Sequence, residues 1–153
     1  MGDYNDIAVN HCGATTVTNL ALYFAKRGYT HLEVNNKDET FEAVHELVGN
    51  GPIFILAGLA ESYFAQCGYN LNYSSVGDTS EYELAILNNR PCDILLIDGL
   101  FAWHWVIGVG WVEYSTNDYY FRVNNNWNGN ANTYYRPESG SVWWSATSYW
   151  VAN

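Results

Sequence analysis

The sequence predicts an α+β domain, with helices in its N-terminal half and an antiparallel sheet in its C-terminal half. Three observations carry this. Over residues 12–27, apolar residues fall at Ala14, Val17, Leu20, Ala21, Tyr23, Phe24 and Ala25, mostly at the three- and four-residue spacing of one helical face. From residue 91 the pattern changes to continuous apolar runs of strand length, over 93–97 and 104–112, of the kind buried on both faces. Polar turn segments over 115–118, 124–132 and 137–140 then separate short β-rich stretches.

The elements follow in order. Residues 1–10 are polar and irregular. The helix over 12–27 closes on Lys26 and Arg27, cations that suit a helix C-terminus, and Gly28 is its stop. Residues 29–34 form a short β-like run bounded by Asn35 and Asn36. Residues 38–48 read as an amphipathic helix, with Phe41, Val44, Leu47 and Val48 apolar and His45 among them as a packing or solvent-facing residue. Gly49-Asn50-Gly51-Pro52 breaks the chain. Residues 53–56 and 58–65 read either as a short strand entering a helix or as one longer helix. Residues 69–76 alternate and end at Gly77-Asp78, a strand and turn. Ser80 is the expected N-cap of a helix through Leu87, with Glu83 completing a capping box. Strands over 93–97, 104–112 and 119–123 follow, then a fourth over 134–136 and an aromatic tail over 142–151. No internal repeat, low-complexity tract or linker interrupts the chain, so residues 1–153 read as a single domain.

Composition narrows the function classes. Charged residues make up 14% of the chain and aromatics 17%, the balance of a folded protein with a packed core. Sixteen acidic against six basic residues give a formal charge of −10 with no Lys/Arg cluster, which argues against nucleic acid and anionic membranes as partners. No run has the length of a membrane span, and the first residues lack the basic and apolar regions of a signal peptide. Few lysines and many Asn, Tyr and Trp lean toward a secreted protein, with a cytoplasmic one as the alternative. Of three cysteines, Cys67 and Cys92 either pair or remain two core thiols. No Cys/His spacing suits a structural zinc site, and no cofactor is expected.

The chemistry gathers on Cys12, His104 and the asparagines after residue 123. Cys12 falls at or just before a helix N-terminus, where unpaired N–H groups and the positive end of the dipole favour a thiolate. A sulfur placed there is one way to build a nucleophile, and a small core cysteine is the plain alternative. His104 opens one strand, and Asn124 and Asn125 close the next. In a hairpin of those strands, an Asn side chain lies beside the imidazole, able to accept its N–H and fix the tautomer. Packing of the Cys12 helix against that sheet edge completes a nucleophile, base and orienter.

These residues resemble the papain-like cysteine peptidase superfamily. Cys12 to Tyr23 (CGATTVTNLALY) is similar to the nucleophile helix of its bacterial branches, including the streptopain and bacteriocin-leader peptidase groups. His104 to Gly110 (HWVIGVG) resembles the strand that opens with the catalytic His, and Phe121 to Gly129 (FRVNNNWNG) the block ending in Asn-x-Trp-Gly. The resemblance implies a papain-like fold with Cys12 as nucleophile, His104 as base and acid, and Asn125 as orienter shielded by Trp127. A streptopain-like register puts Asn124 in the orienter's place instead. The superfamily often draws an oxyanion donor from a Gln at the position that here holds Asp6, whose carboxylate offers no donor. Asn5, or Asn10 beside the cysteine, would donate with the backbone N–H of Cys12. The implied activity is a monomeric, cofactor-free thiol protease or related amidohydrolase, acting on peptide or protein through a thioacyl-enzyme. The same residue set also serves deamidases and acyltransferases. A different class of function is an inactive papain-like module that recognises peptide or glycan through Trp143, Trp144, Tyr149 and Trp150. The plainer role of those rings is to fill the core.

Overall fold

The structure, a computed structural model, describes residues 10–51, 53–98, 102–115, 118–126, 132–137 and 142–152. Its elements are α1 (Cys12–Ala25), α2 (Lys37–Val48), α3 (Leu56–Gln66), β1 (Leu71–Val76), α4 (Thr79–Leu87), β2 (Cys92–Asp98), β3 (Ala102–Glu113), β4 (Tyr119–Asn124), β5 (Thr133–Tyr135) and β6 (Val142–Val151). The fold is α+β, with a six-stranded sheet in the order β1-β6-β2-β3-β4-β5. Its pairings from β6 through β5 are antiparallel. No helix among the described residues is long and apolar enough to cross a membrane. The chain divides into two compact units, residues 1–73 with 150–153, and residues 74–149.

The first unit is built on α1. Ten of its fourteen residues are buried, so the helix is packed nearly all round and its polar positions need internal partners. Thr15 and Thr18 meet that need by donating their hydroxyls to the carbonyls of His11 (3.0 Å) and Ala14 (2.8 Å) one turn back. Gly13 lets α1 approach the start of α3 and the residues before it closely: a Cβ there would stand 3.3 Å from methyl carbons of Ile53 and Leu56. Phe24 packs edge-on against Phe64 of α3, with ring centroids 5.8 Å apart. The helix ends at Ala25, earlier than the expected 27, and Gly28 at φ +105° supplies the left-handed stop.

Two expectations in this unit are corrected. Residues 29–34 are not β-like: Thr30–Leu32 form one 3₁₀ turn. Leu32 is fully buried, and its carbonyl accepts the Tyr63 hydroxyl at 3.0 Å, a side-chain partner in place of a strand. The strand over 53–56 is also absent. Residues 53–55 are irregular, and one helix begins at Leu56. In α2 the cap is Asn36, whose Oδ1 accepts the N–H groups of Asp38 (2.9 Å) and Glu39 (3.0 Å).

The second unit packs α4 on one face of the sheet. Val76, Tyr82, Ala85, Cys92, Ile94, Leu96, Val106, Phe121, Val123 and Ala146 form its buried cluster. Trp144 joins this cluster edge-on to Phe121 at 5.0 Å, and Tyr149 is fully buried. Those two rings of the aromatic tail serve the interior, while the side chain of Trp143 lies outside the described part. The α4 cap is Asp78, two residues before the expected Ser80. Its Oδ1 accepts from Glu81 N at 2.8 Å, and Glu81 reaches back to accept from Gly77 N at 2.6 Å. All three cysteines are free thiols, so Cys67 and Cys92 do not pair.

Candidate functional site

Cys12 belongs to the first unit and is the first residue of α1, as the helix-terminus reading requires. The chain enters the helix through Asn10, a non-glycine residue in the left-handed region at φ +57°. Its carbonyl accepts the Gly51 N–H at 3.0 Å, which ties the loop after α2 to the start of α1. The first N–H groups of any helix lack acceptors within it, which is why helix starts can serve anions. Cys12 itself is only partly buried. Its neighbour His11, overlooked in the sequence, is fully buried with its ring edge-on to Phe41 at 5.4 Å. Phe41 in turn stacks on His45, whose Nε2 lies 2.8 Å from Asn50 Oδ1. His45 is thus a packing residue with a polar tether.

His104 belongs to the second unit. It does not open β3 but stands third in it, because the strand extends back to Ala102. β3 and β4 form the expected antiparallel hairpin, and the last paired residues are Ile107 and Asn124. The ring of His104 reaches past that end of the ladder, with Nε2 2.6 Å from the main-chain oxygen of Asn125. A carbonyl oxygen only accepts, so Nε2 carries the proton. In the neutral ring Nδ1 then holds the lone pair. Burial pushes the His104 pKa below 6.5, and the bond to Asn125, which favours the charged ring, pulls it part of the way back.

The three consecutive asparagines have three different tasks. Asn124 Oδ1 accepts the N–H of Asn126 at 3.2 Å, an Asx turn. Asn125 offers its carbonyl to His104. Asn126 sits at φ +61°, is 2% exposed, and donates its side-chain amide to the carbonyl of Trp105 at 2.9 Å. The expected Asn–His contact is therefore made through the backbone in the hydrogen bond observed, and Asn126 was not singled out by the sequence. Its signal was present: Asn is the non-glycine residue most at ease in the left-handed region, and it follows directly on a strand end.

Asn5, Asp6 and Trp127 lie outside the described residues. Among the described residues, no group of three or more His, Cys, Asp or Glu side chains is placed to hold a metal ion. The arrangement supplies a partly exposed thiol at a helix start and an imidazole of defined tautomer. Compared with known proteins, the chain matches no family model and no curated protein.

Proposed function

We propose that this chain is a cysteine-dependent peptide or amide hydrolase of the papain-like kind, with Cys12 as nucleophile and His104 as base and then acid. The observation that carries the reading is the bond from His104 Nε2 to the Asn125 carbonyl, which leaves Nδ1 as the proton acceptor. The placement of Cys12 as the first residue of α1 supports it. In this reading the thiol proton passes to Nδ1 and the sulfur adds to the substrate carbonyl carbon. N–H groups at the start of α1 meet the oxyanion. The imidazolium then protonates the leaving amine as the C–N bond breaks, giving a thioacyl-enzyme that water hydrolyses. The lysine-poor, aromatic-rich composition favours a secreted setting for such an enzyme.

The test is alkylation of the native protein at neutral pH, with labelled sites read by mass spectrometry. Cys12 should label fastest, and His104→Ala should slow it. Equal rates at Cys12 with and without His104, together with no hydrolysis of a peptide library, would remove the proposal.

A further inference from the structure

We propose that Asn126 is the positioning residue that holds His104 in its Nε2-protonated tautomer, acting through the main-chain carbonyl of Asn125. This rests on the reading of His104 as the base and names what sets its geometry.

The argument begins with the register. β3 and β4 pair as far as Ile107 with Asn124, so two further residues would bring Asn126 opposite Trp105. Asn126 has turned into the left-handed region at φ +61°, and its main chain leaves the ladder there. Its side chain takes over: Nδ2 donates to the Trp105 carbonyl at 2.9 Å, from a position 2% exposed. Loss of a hydrogen bond by a buried amide carries a desolvation cost, which favours keeping this contact. One residue earlier, Asn124 Oδ1 holds the Asn126 N–H at 3.2 Å. The turn is thereby pinned on either side of Asn125.

Trp105 is next to His104 on β3, so the Asn126 clamp registers the turn against the strand that carries the imidazole. With the turn held, the Asn125 carbonyl points at Nε2 from 2.6 Å. Every residue type has that carbonyl, so the acceptor is present whatever side chain stands at 125. Its direction depends on the residue that holds the turn. Asn126 combines a tolerance for positive φ with an amide donor. Glycine has only the first, and aspartate lacks the donor when ionised.

The experiment is ¹⁵N NMR of the histidine rings at about pH 8, where an unperturbed imidazole is neutral. Spectra are compared for the native chain, Asn125→Ala, Asn126→Gly and Asn126→Asp, with His104 assigned by its loss in His104→Ala. The native chain should show a single His104 tautomer, protonated at Nε2, and Asn125→Ala should keep it. Both Asn126 variants should shift to a mixture of tautomers while circular dichroism keeps the native sheet signal. A native tautomer in the Asn126 variants, or its loss in Asn125→Ala, would overturn the proposal. Unfolding of both Asn126 variants would also count against it, because Asn126 would then serve the hairpin as a whole. Hydrolysis is assayed separately on the same proteins. There kcat should fall on the order of tenfold in the Asn126 variants with KM little changed. Tautomer control without hydrolysis by the native chain would sink the enzyme reading and leave the positioning role standing.

Discussion

His104 and Asn125 are joined by a hydrogen bond of 2.6 Å from the imidazole Nε2 to a backbone oxygen. A side-chain orienter can be removed by substitution, whereas a backbone carbonyl can only be turned away. The tautomer of His104 is therefore a property of the turn after β4 and of whatever fixes its dihedral angles. Adjacent asparagines need not compete for one role, because each uses a different atom.

The first expected outcome concerns the charge on His104. Burial disfavours the imidazolium more than the Asn125 carbonyl stabilises it, so the ring should titrate below 6.5. It would stay neutral, and able to accept a proton, into mildly acidic solution. An NMR titration of the ring carbons should give a midpoint below 6.5. A midpoint above 6.5 would mean that a negative group, not burial, governs the ring.

Thiol reactivity should follow position. Cys92 is fully buried, and burial, with Asp93 beside it, pushes its thiol well above the ordinary range. Cys67 is raised by burial as well, with a hydrogen bond to Tyr63 acting the other way. Iodoacetamide should modify Cys12 first, at least about tenfold faster than Cys67, and leave Cys92 intact until the protein unfolds. Early loss of Cys92 would show that the β2–α4 packing opens readily.

Much of this was legible in the sequence, and the failures are local. The first helix and its cysteine could be read because Ala14, Val17, Leu20, Ala21 and Phe24 keep a helical period that nothing else satisfies. The strands after residue 91 could be read because their apolar runs are bounded by turn residues. The 3₁₀ turn at Thr30–Leu32 was missed because a short alternating run does not say whether a partner strand exists. Ser80 and Asp78 are both good caps, and the choice between them depended on Glu81 reaching back to Gly77 N. The atom that meets His104 was beyond reach for a similar reason. Three identical side chains in a row hide which residue adopts the left-handed conformation.

Gly108 should prove intolerant of any side chain. A Cβ at this position would lie 2.5 Å from the Tyr82 hydroxyl oxygen and 2.7 Å from a ring carbon. Tyr82 cannot retreat cheaply, since it is fully buried, packs on Phe121 at 4.4 Å and donates to the Gly110 carbonyl at 2.9 Å. Gly108→Ala should lower stability by about 1–3 kcal/mol through overpacking. Tyr82→Phe, which removes only the donated bond, should lower it by about 1 kcal/mol. Urea denaturation measures both. An unchanged midpoint for Gly108→Ala would mean that β3 and α4 are not packed as described.

The last prediction is a dependence of stability on pH that comes from one buried carboxyl. Asp93 is 1% exposed in β2, the strand between β3 and β6. Its oxygens accept from the Tyr149 hydroxyl and the Thr147 N–H of β6, and Ile107 lies opposite it on β3. Neutral donors surround it. Burial raises its pKa to about 7, with the hydrogen bonds from Tyr149 and Thr147 acting against the rise. The folded chain therefore keeps the proton at pH values where an unfolded aspartate, with its ordinary pKa of 3.8, has lost it. The folded state binds more protons in that window, so the Asp93 contribution is fully present below about pH 4 and is lost as pH rises through about 7. Its full size is on the order of 4 kcal/mol. Asp93→Asn keeps the shape and has nothing to ionise. Chemical denaturation at pH 5 and pH 8 should show the native chain losing stability over this interval, and the variant losing much less. Equal pH slopes for the two proteins would show that Asp93 is already ionised in the fold at pH 5.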